Sequence, residues 1–194
     1  MQGMTGTESK QGVRATLRAR RREIAGSRDI SADDDALAAL ALELAAAARP
    51  VAGADGPLVA LSYESLPHEP PTAALNTALR AAGWQVLVPI TLPDLDLDWC
   101  DLADADRTPL GTAAPARADL ALIPGLAVDH HGTRLGQGGG CYDRVLPRLR
   151  PGTPVAVLLH PGEHTSATLP REPHDQPVST VLTAEGVTPS AARG

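Results

Sequence analysis

A glycine-rich segment carries the clearest chemical signal in the sequence. Four of the five residues from Gly136 to Gly140 are glycines, with Arg134 before them and Asp143 after them. Glycines let backbone amides approach a ligand without a Cβ in the way, and the N-terminus of a following helix attracts anions. Arg134 would add a bidentate cation, and Asp143 could hold a metal ion that bridges phosphates. The pattern indicates either a phosphate-binding loop or a glycine-rich turn between a strand and a helix.

Two familiar phosphate-binding motifs do not match the sequence of this segment. A Walker loop needs Gly-Lys followed by Ser or Thr, and the dinucleotide fingerprint needs Gly or Ala where Cys141 stands. Cys141 is not interpreted as a nucleophile, because the sequence shows no His or acid paired with it. The neighbours His130 and His131 do not indicate zinc, because adjacent residues seldom point at one ion and no third ligand follows at a useful spacing.

Composition narrows the classes of function. The chain has 194 residues, 43% of them hydrophobic, which predicts one domain over residues 8–187 with flexible tails at 1–7 and 188–194. A net charge of -6 and an aromatic content of 2% argue against a general nucleic-acid binder. Cys100 and Cys141 lack disulfide or zinc spacing, and no signal sequence or membrane span is visible. We therefore expect a cytoplasmic protein that binds neither nucleic acid nor membrane.

Two helices are predicted in the first quarter of the chain. From Lys10 to Ile24 the apolar residues recur at helical spacing, and a basic residue stands at every fourth position: Lys10, Arg14, Arg18 and Arg22. The acidic run at 33–35 then predicts the N-terminal cap of a second helix that reaches residue 48.

Short apolar runs alternate with helical patterns along the rest of the chain. The predicted strands cover residues 58–63, 84–88, 120–123, 155–159 and 179–183, and the predicted helices cover residues 72–82 and 142–149. Buried strands separated by helices of this length predict a mostly parallel sheet. Ligands of such sheets bind outside the carboxyl ends of the strands, where the glycine-rich segment also falls.

The stretch from Pro124 to Arg144 resembles the signature of the 5-formyltetrahydrofolate cyclo-ligase family. That signature reads P-G-hydrophobic-A-hydrophobic-D, a short gap, and then G-x-R-L-G-x-G-x-G-aromatic-Y-D-R, and nearly every fixed position is matched. Further segments match in family order between Lys10 and Gly186: the basic helix with Lys10 and Arg14, the run Glu69-Pro70-Pro71-Thr72, and the pair His174-Asp175. The resemblance implies a single-domain, three-layer α/β/α fold that is Rossmann-like, of the NagB/RpiA/CoA transferase-like type.

The resemblance also implies an activity and its residues. Family members convert 5-formyltetrahydrofolate to 5,10-methenyltetrahydrofolate, with ATP as co-substrate, Mg²⁺ as cofactor and no obligate protein partner. The implied catalytic residues are Lys10, Arg134 and Asp143, and the implied metal ligands are Asp143 and Asp175. The implied ATP contacts are Lys10, Arg14, Arg134, Leu135, Gly136, Gln137, Gly138, Gly139, Gly140, Cys141 and Tyr142. The implied folate contacts are Glu64, Glu69, Gln137, Gly138, Gly139, Gly140 and Cys141.

Three positions depart from the family pattern. Cys141 replaces an aromatic residue, Gln137 replaces a Tyr or a basic residue, and Ile90 replaces an Arg or Lys. These departures leave open a paralogue that binds folate or nucleotide without turnover. A different ATP-dependent ligase or a sugar-phosphate enzyme on a similar scaffold is the other alternative, since a fold does not fix a function.

Overall fold

A seven-stranded sheet forms the centre of the molecule. The computed structural model describes residues 9–48, 56–173 and 175–190. The strands of its two sheets are β1 (Val59–Leu61), β2 (Gln85–Thr91), β3 (Leu97–Asp101), β4 (Leu120–Pro124), β5 (Ala127–Asp129), β6 (Arg134–Leu135), β7 (Val155–Leu158), β8 (His164–Thr165), β9 (Thr180–Thr183) and β10 (Gly186–Pro189). The large sheet has the order β10-β9-β7-β4-β1-β2-β3, and the small sheet has the order β6-β5-β8.

The inner strands of the large sheet run parallel to one another. β1 pairs with β2 and β4, and β7 pairs with β4 and β9, all in parallel, whereas the edge strands β3 and β10 are antiparallel to their neighbours. Continuous apolar runs such as Leu120–Ile123 suit inner strands, because both faces of a parallel sheet are covered. The predicted mostly parallel α/β sheet is therefore confirmed.

Four α-helices accompany the sheets in the described residues. They are α1 (Lys10–Ser27), α2 (Ile30–Ala47), α3 (Ala73–Ala81) and the short α4 (Cys141–Val145). Short 3-10 turns at Ala114–Arg117 and Leu146–Arg148 complete the helical structure. None of these helices combines the length and the apolar character that crossing a bilayer requires.

Helical layers cover both faces of the large sheet. On one face, Leu37 and Ala41 of α2 pack with Leu75 and Leu79 of α3 against the sheet. On the other face, Trp99 of β3 packs with the first 3-10 turn and with α4. α1 lies apart from these layers, and its Val13 and Leu17 pack against the small sheet. This arrangement confirms the three-layer α/β/α fold.

The second helix begins earlier than predicted. Asp29 caps α2, because its carboxylate accepts hydrogen bonds from the amides of Ser31 and Ala32. The acidic run at 33–35 lies inside the helix instead, where Asp33 is buried and forms an ion pair with Arg28. The predicted cap at 33–35 is therefore wrong.

The C-terminal prediction also needs correction. Residues 186–189 form edge strand β10, and the Ser190 hydroxyl is buried and donates to the Val178 carbonyl at 2.7 Å. The predicted tail is thus wrong for residues 188–190, which complete the sheet. The helix predicted over 142–149 ends at Val145 and continues as a 3-10 turn. The predicted tails at 1–7 and 191–194, and His174, lie outside the described residues.

Candidate functional site

A cavity of about 530 Å³ opens beside the carboxyl end of β4. Its walls come from seven parts of the chain: the start of α1, the β2–β3 hairpin, the end of β4 with the turn after it, Arg134 of β6, the glycine loop (residues 136–140), the start of α4, and the segment that precedes β9. The predicted residues on these walls are Lys10, Arg14, Arg134, Gly136, Gln137, Gly138, Gly139, Gly140, Cys141, Tyr142, Asp143 and Asp175. The fold therefore brings together residues that lie as much as 165 positions apart in the chain.

The glycine loop needs glycine at particular positions. Gly138 and Gly140 have φ angles of +119° and +65°, a region that side chains with a Cβ rarely adopt. Gly136 is constrained by contact instead, because a Cβ there would lie 2.9 Å from Nη1 of Arg134. The loop therefore packs directly on the arginine beneath it.

Arg134 lies between the glycine loop and α4. Its side chain is only 3% exposed, and Nη2 lies 3.0 Å from Oδ1 of Asp143 while Nη1 donates to the Pro124 carbonyl at 3.2 Å. The guanidinium carbon lies 5.8 Å from the centroid of the Tyr142 ring. This network fixes a cation and a carboxylate at the cavity wall.

Two polar atoms in this network are buried without a hydrogen-bond partner in the described part of the chain: Nε of Arg134 and the hydroxyl of Tyr142. Burial raises the pKa of Tyr142, Arg134 opposes this shift, and the nearby carboxylate of Glu69 reinforces it. The phenol is therefore neutral at physiological pH and keeps a proton to donate. Buried polar groups normally have partners, so a bound ligand is a natural candidate for one.

The N-terminal turns of α1 bring two more cations to the cavity wall. Nζ of Lys10 lies 2.6 Å from Asp175 and 3.1 Å from Glu172. Nε of Arg14 donates to the Gly136 carbonyl at 3.1 Å. Both predicted phosphate-binding cations thus reach the cavity, where they contact protein acceptors.

Three predicted contacts lie outside the cavity lining. Leu135 is buried beneath it, at 2% exposure. Glu64 faces a different surface, where it forms an ion pair with Arg107 at 2.9 Å. Glu69 is nearly buried and accepts from the Leu66 amide, but its charge raises the pKa of Tyr142. Glu69 therefore lies close enough to Tyr142, a residue of the cavity lining, for its charge to act there.

The carboxylates of Asp143 and Asp175 could bind a metal ion only together with other ligands. No group of three or more His, Cys, Asp or Glu side chains suited to a metal occurs within residues 9–48, 56–173 and 175–190. Mg²⁺ commonly binds through one or two carboxylates and completes its shell with water and substrate phosphates. The two carboxylates on the cavity wall fit that kind of site.

Sequence reasoning missed a buried ion pair that holds the cavity walls together. Arg21 contacts both carboxylate oxygens of Glu163 at 2.7 and 2.6 Å and donates to the Gly125 carbonyl. Glu163 also accepts from the His160 amide at 2.8 Å. The basic repeat noted in the sequence includes the exposed Arg22 and omits Arg21. A spacing of four residues departs from the 3.6 residues of a helical turn, so the inward position passes to Arg21.

Comparisons with known proteins give a consistent result. The model of the 5-formyltetrahydrofolate cyclo-ligase family matches residues 6–184. The chain is 34% identical over 139 residues to a 5-formyltetrahydrofolate cyclo-ligase of Mycolicibacterium smegmatis, a match that covers 63% of this chain and 71% of that protein.

Two solved structures share the fold at 18% identity. The 5,10-methenyltetrahydrofolate synthetase of Mycoplasma pneumoniae aligns with a TM-score of 0.68 over 91% of this chain and 99% of that one. The synthetase of Aquifex aeolicus aligns with a TM-score of 0.64 over 94% of each chain. At this identity the likeness supports the architecture alone.

Proposed function

This chain belongs to the 5-formyltetrahydrofolate cyclo-ligase family, and from that membership we propose that it closes 5-formyltetrahydrofolate to 5,10-methenyltetrahydrofolate with release of ADP and phosphate. The observation that carries the proposal is the cavity wall itself, in which the glycine loop lies against both Arg134 and Arg14. A loop in which four of five residues are glycines, lying between two cations, suits a polyphosphate better than a neutral ligand.

In the proposed reaction, the formyl oxygen on N5 attacks the γ-phosphorus of ATP and ADP leaves. N10 then attacks the activated formyl carbon, loses its proton, and expels phosphate as the ring closes. The protein's tasks are to align the formyl oxygen with the γ-phosphorus and to balance charge on the transferring group.

The residues of the cavity divide these tasks. We assign the phosphates to the amides of residues 136–140 and to the cations Lys10, Arg14 and Arg134. Arg134 acts from a fixed position, because its two hydrogen bonds hold it before substrate arrives, and such preorganised charge stabilises a transition state most effectively. Lys10 must exchange part of its contact with Asp175 and Glu172 for phosphate oxygens.

The folate is assigned to the same cavity, where it shares the glycine loop with the phosphates. Glu69 and the backbone from Gln137 to Cys141 would face the pterin, and Tyr142 lines the same cavity. Glu64 receives no contact in this proposal, because its carboxylate is bound to Arg107 outside the cavity lining.

Asp143 and Asp175 are the proposed Mg²⁺ ligands. When bound, the ion would neutralise phosphate charge. Both carboxylates contact a cation in the structure, Asp143 with Arg134 and Asp175 with Lys10, so Mg²⁺ would have to share these carboxylates with the two cations. A cytoplasmic location completes the proposal, in keeping with the free thiols of Cys100 and Cys141.

The test is the near-ultraviolet absorbance of methenyltetrahydrofolate when the purified protein meets 5-formyltetrahydrofolate. We expect the absorbance to rise only when ATP and Mg²⁺ are both present. A flat trace from protein that still binds folate and ATP would favour the paralogue without turnover. Failure to bind folate would instead favour a different ATP-dependent enzyme.

A further inference from the structure

Arg18 contacts the glycine loop from outside the cavity. It lies one helical turn beyond Arg14 on α1, and it is not among the residues that line the cavity. Its Nε donates to the side-chain oxygen of Gln137 at 3.0 Å, and its Nη2 donates to the backbone carbonyl of Gln137 at 2.6 Å. One guanidinium thus binds both the backbone and the side chain of a single loop residue.

The glycine loop has a physical need for such a contact. Glycines lose more conformational freedom on ordering than other residues, and Gln137 and Gly138 are exposed at the tip of the loop. Two successive carbonyls of the loop, those of Gly136 and Gln137, are bound by arginines of α1. Arg14 does so from within the cavity, where phosphate would compete for it, whereas Arg18 does so from behind.

We propose that Arg18 is a positioning residue that holds the glycine loop in its ligand-binding conformation through Gln137. The proposal rests on the proposed function, because the ligand of the loop is taken to be the phosphates of ATP. Arg18 keeps its two bonds when nucleotide arrives, so the loop is ordered before binding rather than by it. Preordering of this kind strengthens binding without touching the ligand.

Three variants separate this role from a general effect of charge. Arg18→Ala should raise the KM for ATP about tenfold while kcat changes less than about twofold. In this variant the free-energy cost of ordering the loop would have to be offset by the binding energy of ATP. Arg22→Ala removes the same charge from an exposed position of the same helix, and its KM should remain that of the wild type. Gln137→Ala should have a smaller effect, because the bond from Nη2 to the backbone carbonyl remains, and adding it to Arg18→Ala should bring no further loss.

Hydrogen exchange of the nucleotide-free protein provides a readout that does not depend on the activity. Peptides that cover the glycine loop should exchange faster in Arg18→Ala than in Arg22→Ala, while peptides from β4 and β7 remain unchanged. Equal exchange and equal KM in these two variants would overturn the proposal. If the wild type turns over no folate, the proposed function fails, and the exchange comparison still decides whether Arg18 orders the loop.

Discussion

Removing Arg134 should separate catalysis from folding. The side chain is 3% exposed and makes two hydrogen bonds, to the Asp143 carboxylate and to the Pro124 carbonyl. Hydrogen bonds that involve a charged group contribute about 1.5–3 kcal/mol each. The lower end applies here, because Asp143 is 16% exposed and water can reach it once Arg134 is gone. Arg134→Ala should therefore cost about 3 kcal/mol of unfolding free energy.

A loss of that size leaves the protein folded. For a chain of this length, each kcal/mol lowers Tm by about 2–4 °C, so Arg134→Ala should melt about 6–12 °C below the wild type. Turnover should fall much further, by about 10²–10³ in kcat, which is the usual effect of deleting one preorganised charge that faces a transition state. Arg134→Lys retains the charge but not the bidentate geometry of the guanidinium. Its turnover should lie between that of the wild type and that of Arg134→Ala.

The assay is turnover at saturating substrates, well below the Tm of each variant, with folding checked by circular dichroism. Arg117→Ala serves as the control, since Arg117 is an exposed arginine that donates to Gln85 far from the cavity lining. A folded Arg134→Ala protein with turnover within a few-fold of the wild type would refute the role given to Arg134.

Three further predictions concern folding, pH and thiol chemistry. Gly132→Ala should lower Tm strongly, because its Cβ would lie 2.3 Å from a backbone carbonyl oxygen just before β9, whereas Gly152→Ala, with a similar positive φ and open space, should lower it only slightly. Burial acts to raise the pKa of Asp129, but three backbone amides that donate to its carboxylate outweigh burial and hold the pKa below its usual value. Asp129→Asn should therefore unfold at a lower urea concentration than the wild type at neutral pH. The difference in stability should shrink as pH falls through the folded-state pKa of Asp129, because the wild type then loses the stabilising contribution of the ionised carboxylate. Cys141→Ser should retain turnover within several-fold, and alkylation should modify the half-buried Cys141 before the buried Cys100 and be slowed by ATP.

The sequence predicted the inner strands well because their signal is local. A run such as Leu120–Ile123 is apolar throughout, as a strand covered on both faces requires. β3 was missed because two aspartates interrupt the apolar residues of the short edge strand Leu97–Asp101, and β10 was missed because Pro189 lies in it. Edge strands are covered less completely, so their composition resembles that of loops.

The site was predictable only where its residues share a motif. The glycine loop, Arg134 and Asp143 lie within ten positions of one another, so their proximity could be inferred from the chain. The contact between Arg21 and Glu163 joins residues 142 positions apart, and only the fold brings them together. The same limit applies to Arg18. The sequence shows the basic repeat to which Arg18 belongs, but not its contact with Gln137.

The fate of the formyl oxygen tests the central claim most directly. 5-Formyltetrahydrofolate that carries a heavy oxygen isotope in the formyl group is incubated with the protein, ATP and Mg²⁺, and the inorganic phosphate is examined by mass spectrometry. Phosphorylation of the formyl oxygen predicts one labelled oxygen in each phosphate released with product. Methenyltetrahydrofolate that forms with unlabelled phosphate would contradict the account.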